Sequence, residues 1–243
     1  MGVHPRPSVV ASPAMSNEDA APGPEESVDT GAPSATRHDL QLGRRAFHFL
    51  NGASTATAYA LLFTHEQVIH IFGTIACIVY VVDRVRIAYP EVVARHAPAV
   101  NRLFVRAEEQ VRESAMIPFV IAVLLTILTV PKRAALVGIY TLALADPLAA
   151  IVGIRFGRRK VAHNRTLEGS LAFFAATAGM AALVLGWGVT DRGIEVAVAA
   201  GVIALAATAF EVVPLRIDDN LTIPLFVGFA TWIAAAALGL PLG

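Results

Sequence analysis

The residues best suited to chemistry lie in one stretch, where an acid is followed by a group of cations and then by a second acid. Asp146 stands in an apolar segment, and Glu168 follows it within Thr166-Leu167-Glu168-Gly169-Ser170. Five cations lie between the two acids, interleaved with Gly153 and Gly157: Arg155, Arg158, Arg159, Lys160 and Arg165. Clustered guanidinium groups on a flexible backbone suit a polyphosphate, because arginine donates in a fork that matches phosphate oxygens. The pattern indicates a site for a phosphorylated ligand; its structural alternative is a basic loop that only orients the chain in a membrane.

Asp146 is notable because the segment around it is apolar enough for a membrane. A carboxylate inside a membrane helix costs at least ~2.5 kcal/mol, so such residues usually face a polar cavity, a partner or a metal. Pro147, directly after it, is expected to kink the helix and expose backbone carbonyls. The alternative is an aspartate that pairs with an arginine and only stabilises helix packing.

The segment that follows the cations combines groups for an anion and for a cation. Thr166 is suited to cap the next helix, whose N-terminal amides and dipole favour an anion. Glu168 lies near the same helix end and could hold a cation. A purely structural capping role for Thr166 is the alternative.

A second acidic group lies further along the chain. Asp218, Asp219 and Asn220 precede a predicted helix that begins near Leu221, and Glu211 is a further acid close by. Adjacent carboxylates and an amide are credible Mg²⁺ ligands, because Mg²⁺ prefers oxygen and often takes one or two carboxylates together with substrate phosphates. The alternative is a helix cap with a solvated charge pair.

The elements that must position these groups are membrane helices. Hydrophobic residues make up 56% of the 243 residues and charged residues only 16%, against roughly half and a quarter in a soluble domain. We expect an all-α integral membrane protein in which Gly179 and Gly186 serve close helix packing. Spans of roughly 17 to 25 apolar residues number about seven: 46–63, 67–82, 115–130, 134–154, 169–189, 194–213 and 221–240.

Two segments depart from this pattern. Residues 1–40 are rich in Pro, Ala, Ser and acids and lack large apolar side chains, so they are expected to be a disordered tail before a membrane domain at 41–243. Segment 83–114 is rich in arginine, and its apolar residues recur at helical spacing (Val93, Val100, Leu103 and Phe104). This segment is predicted to be an amphipathic helix at the membrane surface.

The distribution of cations predicts the orientation. With seven spans, the N-terminal tail and segments 83–114, 155–168 and 214–220 share one side and hold 16 of the 19 Lys and Arg residues. Because Lys and Arg concentrate in cytoplasmic loops, the N-terminus is predicted inside and the C-terminus outside. The candidate residues then converge on the cytoplasmic face, together with Arg44, Arg45 and His48 at the start of the first span.

These motifs resemble the CTP-dependent polyprenol kinase family, which includes dolichol kinase, phytol kinase and CTP-dependent diacylglycerol kinases. The resemblance covers roughly 41–228. It is carried by Ala145-Asp146-Pro147-Leu148-Ala149-Ala150-Ile151-Val152-Gly153, Arg155-Phe156-Gly157 and Arg165-Thr166-Leu167-Glu168-Gly169-Ser170. Weaker likeness lies in Arg44-Arg45-Ala46-Phe47-His48 and in Glu211 with Asp218-Asp219-Asn220-Leu221-Thr222-Ile223-Pro224. The family usually has Gly-Asp at Ala145-Asp146 and Lys-Lys-Thr at Asn164-Arg165-Thr166.

The resemblance implies a membrane kinase that moves the γ-phosphoryl group of CTP, or a related nucleotide, to a lipid alcohol, with Mg²⁺ and without a nucleic-acid partner. The implied catalytic residues are Asp146, Glu168 and Asp218, with Asp146 or Asp218 as proton acceptor. Those implied for the nucleotide are Arg158, Arg159, Lys160, Arg165, Thr166 and Gly169. Metal ligands would be Asp146, Glu168 and Asp219, supported by Asn220, and Arg44, Arg45 and His48 could meet the product phosphate or anionic headgroups.

Two other functions remain open. A cytidylyltransferase of the CDP-diacylglycerol type would use a similar acidic and basic site and release pyrophosphate. Its C-terminal His-Gly-Gly and Asp-Arg-x-Asp signature is not found in this sequence. A non-enzymatic transporter would also place an acid at membrane depth, although paired broken helices in two repeats would then be expected.

Overall fold

The described part of the chain is built almost entirely from helices. The computed structural model describes residues 37–96, 116–162, 165–215 and 217–243, without the side chains of residues 37–48, 94 and 116. A π-helical turn, Thr141–Ala145, joins two of the helices, and two short antiparallel strands pair Lys160 with Thr166. The elements in chain order are α1 (Arg37–Leu61), α2 (His65–Ala88), α3 (Pro90–His96), α4 (Met116–Thr129), α5 (Lys132–Tyr140), α6 (Asp146–Phe156), β1 (Lys160–Ala162), β2 (Arg165–Thr166), α7 (Leu167–Gly186), α8 (Gly193–Val212) and α9 (Asp219–Ala237).

Five of the described helices are long and apolar enough to cross a membrane. They are α2, the continuous helix Lys132–Phe156 formed by α5 and α6, α7, α8 and α9. Five predicted spans coincide with them. The predicted spans 46–63 and 115–130 fall on α1 and α4, which are not among the five, although Ile117–Thr129 is a shorter apolar helix.

The two predicted non-membrane segments lie largely outside the described residues. The predicted disordered tail covers residues 1–40, of which 1–36 lie outside the described residues. The prediction is wrong for residues 37–40, because helix α1 begins at Arg37. Of the predicted amphipathic segment, the structure describes the end of α2 and helix α3, in which Val93 is buried. Residues 97–115 are not described, so the surface helix stays a prediction.

The helix that carries Asp146 widens just before this residue. The amide of Asp146 donates to the carbonyl of Thr141, five residues back, where an α-helix would use the residue four back. Pro147 lacks an amide hydrogen, and its ring crowds the carbonyl four positions earlier, which a wider turn accommodates. The helix therefore continues through Pro147 after one π-helical turn, and the kink expected there stays a prediction.

Glycines bring some helices close together, but not the ones that the sequence suggested. A Cβ atom at Gly138 of α5 would overlap the carbonyl oxygen of Pro224 in α9, and one at Gly228 would lie 3.3 Å from Thr126 of α4. The expectation for Gly179 is wrong, because no described atom lies within 4 Å of a Cβ built there, while Gly186 meets only a Val196 methyl at 3.6 Å. A glycine in an apolar helix does not by itself reveal which face is packed.

Cations at one end of the bundle bind carbonyls at the ends of neighbouring helices or just beyond them. Lys132 Nζ donates to the carbonyl oxygen of Phe63 (2.9 Å) after α1. Arg133 Nη1 donates to that of Leu185 (3.1 Å) in the last turn of α7. Arg192 Nη1 donates to that of Gly239 (2.6 Å) after α9. Since terminal helix carbonyls have no partner within their own helix, these three cations stabilise the end of the bundle where they lie.

Candidate functional site

The candidate residues meet at the opposite end of the bundle because consecutive helices alternate in direction. Helix α6 ends there at Phe156, α7 begins there at Leu167, α8 ends there at Val212 and α9 begins there at Asp219. The β1–β2 hairpin fills the connection between α6 and α7, where the sequence indicated only a basic loop. Side chains far apart in the sequence are thereby brought to one place.

Arg165, on strand β2, is the centre of the charged cluster. Its Nη1 lies 2.7 Å from Glu211 Oε1 and 3.8 Å from Asp146 Oδ1. Its Nη2 donates a hydrogen bond of 3.0 Å to Asp219 Oδ2. The guanidinium group therefore joins carboxylates from α6, α8 and α9.

These carboxylates differ greatly in exposure. The side chain of Glu211 is 1% exposed, that of Asp146 is 30% exposed and that of Asp219 is 56% exposed. A buried carboxylate is costly unless it is paired, so Glu211 depends most on Arg165. Three carboxylates of different exposure therefore share one guanidinium group.

Glu168 lies apart from this cluster and organises the backbone after α6. Its Oε2 accepts hydrogen bonds from the amides of Arg158 (3.0 Å) and Arg159 (3.4 Å). The carbonyl of Arg159 in turn accepts from the amide of Leu167 at 2.8 Å. Glu168 thus ties the first turn of α7 to the basic connection, and the side chains of Arg158, Arg159 and Lys160 are exposed.

Two predicted site residues act as helix caps. Thr166 Oγ1 accepts from the amide of Gly169 (3.2 Å) and caps α7. Asp218 Oδ1 accepts from the amide of Asn220 (2.9 Å) and caps α9. The cap by Thr166 agrees with both interpretations of that segment, whereas the cap by Asp218 corresponds to the structural alternative for the second acidic group. A side chain that caps a helix fixes the neighbouring backbone amides in place.

Small residues allow α6 and α7 to approach closely beside the cluster. A Cβ atom at Gly169 would lie 2.9 Å from the Ala149 carbonyl oxygen, and one at Gly153 would lie 2.9 Å from Thr166 Oγ1. Even so, a pocket of about 190 Å³ remains at this junction. It is lined by Ala149, Ala150, Gly153, Ile154, Arg165, Thr166, Gly169, Ser170 and Glu211.

Two buried polar atoms belong to residues of this pocket. Glu211 Oε2 and Ser170 Oγ are inaccessible to solvent, and neither has a hydrogen-bond partner among the described residues. Buried polar atoms are nearly always paired, so each of these two oxygens can take a further hydrogen-bond partner.

The predicted metal ligands are only partly brought together. Asp146 and Asp219 share Arg165, whereas Glu168 faces the amides of the basic connection. Within the described ranges, no three His, Cys, Asp or Glu residues form a group ready to hold a metal ion. The side chains of Arg44, Arg45 and His48 lie outside the described part of the structure, so their predicted role at the site stays a prediction.

Ser170 has no role that was predicted from the sequence. A signal was present, because Ser170 follows the capping Thr166 by four residues, a spacing that places two side chains on the same face of a helix. No local sequence pattern predicts the ion pair between Arg165 and Glu211, because it forms between distant segments when the helices pack.

The fold and the site define a mostly helical chain with five helices able to cross a membrane and a charged, glycine-lined pocket at one end of the bundle. The chain is 35% identical over 113 residues to an uncharacterized protein of Methanocaldococcus jannaschii. The match covers 46% of this chain and 54% of the relative, so the chain spans about half the length of that protein. No family model and no solved structure matches the chain.

Proposed function

We propose that the protein is a membrane lipid-alcohol kinase that transfers the γ-phosphoryl group of CTP, or of a related nucleotide, to the hydroxyl of a polyprenol, phytol or diacylglycerol. The observation that carries the proposal is the cluster in which Arg165 joins Asp146, Glu211 and Asp219 beside the pocket between α6 and α7. Phosphoryl transfer needs positioning and charge neutralisation more than covalent chemistry by the protein. A cluster of this composition at the end of apolar helices suits that task.

The exposed part of the site suits the nucleotide. Arg158, Arg159 and Lys160 present cations to solvent, while Glu168 holds the backbone of this connection. Thr166 and Gly169 lie at the N-terminus of α7, where helix amides and the helix dipole favour an anion. Together these groups would bind the phosphates of CTP.

The acids of the cluster fit a magnesium ion. Asp146 and Asp219 are oxygen donors that reach the same guanidinium group and are partly exposed, and Mg²⁺ often takes one or two carboxylates with substrate phosphates. These two residues would hold the ion, with Asn220 nearby. When bound, Mg²⁺ neutralises charge on the transferring phosphoryl group. The contacts of Glu168 favour a positioning role over the metal-binding role predicted from the sequence.

The same proposal includes the topology. Seven spans with the N-terminus inside and the C-terminus outside would put the charged cluster on the cytoplasmic side, where CTP is available. Sixteen of the 19 Lys and Arg residues support this orientation. The contacts of Lys132, Arg133 and Arg192 with helix carbonyls give a structural reason for the three cations on the other side.

The test is phosphorylation by membranes that contain the protein. They are incubated with γ-labelled CTP, UTP or ATP and a panel of phytol, dolichol, a shorter polyprenol and diacylglycerol. A kinase labels the lipid, whereas a cytidylyltransferase given phosphatidate releases labelled pyrophosphate and leaves the lipid unlabelled. A transporter does neither, so lipid without label from every nucleotide contradicts the proposal.

Asp146→Asn tests the site itself. It keeps the size of the side chain but removes its charge, so we expect lipid labelling to fall by about a hundredfold or more while membrane insertion is unchanged. Asp191→Asn, on the connection at the opposite end of the bundle, is the matched control and should keep wild-type labelling. Full activity of Asp146→Asn rules out the assigned cluster.

A further inference from the structure

The pocket between α6 and α7 has a feature that nucleotide binding does not use. Resting on the kinase activity proposed above, we infer that Glu211 and Ser170 bind the hydroxyl of the lipid acceptor, and that Glu211 receives the hydroxyl proton. Their unpartnered buried oxygens, Glu211 Oε2 and Ser170 Oγ, both belong to residues that line this pocket. The residues predicted from the sequence to accept this proton are Asp146 or Asp218, and Glu211 has no defined role in that prediction.

The contacts of Glu211 explain why only one of its oxygens is available. Oε1 is held 2.7 Å from Arg165 Nη1, and the side chain is 1% exposed. Oε2 is buried and has no hydrogen-bond partner in the described part of the chain. The ion pair fixes the carboxylate, so Oε2 is a pre-positioned acceptor with no solvent around it.

The chemistry of the two oxygens selects a neutral hydroxyl over a phosphate. A carboxylate oxygen accepts a hydrogen bond and repels an anion, whereas a serine hydroxyl can donate or accept. An alcohol hydroxyl carries both functions, because it can donate to a carboxylate oxygen such as Glu211 Oε2 and accept from a hydroxyl such as Ser170 Oγ. A phosphate oxygen is negatively charged and has no hydrogen to donate, so it does not suit Glu211 Oε2.

The remaining lining suits the carbon chain attached to this hydroxyl. Ala149, Ala150 and Ile154 of α6 form one side of the pocket, and Ile154 is 55% exposed. An apolar substrate could therefore reach the pocket sideways from the bilayer along α6. Its hydroxyl would lie deepest in the pocket, next to Glu211, with the nucleotide phosphates on the exposed side of Arg165.

The group-transfer step balances with Glu211 as the proton acceptor. The alcohol oxygen forms a bond to the γ-phosphorus, and the bond from that phosphorus to the oxygen bridging to the β-phosphate breaks. The electron pair leaves with the nucleoside diphosphate, and the hydroxyl proton moves to Glu211 Oε2. Arg165 keeps Asp146 and Asp219 as charge partners when Glu211 becomes neutral, so the proton does not leave an unpaired cation.

The first experiment measures steady-state kinetics with geranylgeraniol and dioleoylglycerol as acceptors. Ser170→Ala should raise the KM of the better acceptor about five- to tenfold, the effect of one lost hydrogen bond, with the KM of CTP unchanged. Glu211→Gln should lower kcat by about a hundredfold or more, as expected for a lost general base. Thr177→Val is the matched control, because Thr177 is another buried hydroxyl of α7 without a hydrogen-bond partner among the described residues. It should keep both parameters.

The second experiment needs no catalysis. A diazirine analogue of geranylgeraniol is crosslinked to the purified protein in competition with geranylgeraniol or its methyl ether, which cannot donate a hydrogen bond. The wild type should prefer the alcohol about tenfold, and Glu211→Gln should lose most of this preference. Equal competition by alcohol and ether in the wild type overturns the inference.

The two experiments separate this inference from the kinase proposal. If the wild type labels lipid but Ser170→Ala and Glu211→Gln keep wild-type kinetics, the hydroxyl site is wrong and the kinase activity stands. If the wild type labels no lipid but discriminates alcohol from ether through Glu211, the hydroxyl site stands and the kinase activity fails. Ser170→Ala removes one oxygen atom from a packed helix, so it provides a folded variant if Glu211→Gln does not fold.

Discussion

Arg165 and Glu211 form an ion pair in a buried position, and each neutralises the charge of the other. Glu211 is almost inaccessible to solvent and lies 2.7 Å from the Arg165 guanidinium. Asp146 and Asp219 reach the same group but are more exposed, so water can replace part of their interaction. The stability of the cluster is therefore concentrated in one of its three ion pairs.

Arg165→Ala should lower the stability of the folded protein by roughly 3 kcal/mol, because it leaves the carboxylate of Glu211 buried without a partner. Arg165→Lys should lose less, since it keeps the charge but not the forked geometry. The measurement is the apparent Tm of the purified protein in detergent. Adding Glu211→Gln to Arg165→Ala should recover much of the lost stability, because it removes the unpaired charge. An equal or lower Tm in the double variant contradicts this account.

The position of α6 relative to α7 depends on contacts between residues of different elements. Glu168 belongs to the first turn of α7, yet its carboxylate holds the amides of Arg158 and Arg159 after α6. The side chain of Glu168, which follows this connection in α7, therefore stabilises the shape of the connection. The glycines of α6 and α7 then let the two helices approach closely at the same place.

Glu168→Ala should loosen the connection, because two backbone amides lose their acceptor. We expect trypsin to cut faster after Arg158, Arg159 and Lys160, by up to about thirtyfold if the two bonds contribute about 1 kcal/mol each. Glu195→Ala is the matched control, since Glu195 also lies in the first turn of a helix, α8. Unchanged cleavage in Glu168→Ala would mean that the hairpin holds its shape without this carboxylate.

Gly138→Ala should destabilise the protein much more than Gly179→Ala. A Cβ atom at Gly138 would overlap the backbone of α9 at Pro224, which cannot move like a flexible side chain, whereas Gly179 has no described neighbour within 4 Å. The cost of overpacking is typically about 1–3 kcal/mol. The comparison requires the Tm of the two variants in detergent. A higher Tm for Gly179→Ala is compatible with the better helix propensity of alanine, but an unchanged Tm for Gly138→Ala contradicts the close contact of α5 and α9.

At the scale of the whole molecule, the two ends of the bundle use charge differently. One end gathers acids and cations around a pocket, and the other binds three cations to helix carbonyls. The three cations at this end have a structural role, because they bind carbonyl groups. Their presence there is therefore weaker evidence against the proposed orientation than their number alone would be. The proposed orientation can be tested directly from this difference.

Single cysteines at the two ends should react from opposite sides of the membrane. In a Cys77→Ser background, Val161→Cys of β1 and Thr190→Cys after α7 both replace exposed residues. With a membrane-impermeant maleimide, Thr190→Cys should label in right-side-out vesicles and Val161→Cys only in inside-out vesicles. The reverse pattern contradicts the orientation, and labelling of both from one side contradicts the crossing of α7.

The sequence alone predicts apolar helices, the positions of five of those described, and the cap that Thr166 forms on one of them. These properties depend on segment length, apolar composition and capping residues, which are local and therefore readable along the chain. The packing of the helices determines that Glu211 lies against Arg165, that Gly138 rather than Gly179 is at a close contact, and that Ser170 lines a pocket. Those outcomes depend on which faces of distant helices pack together, and near-uniform apolar helices carry little sequence signal for that choice.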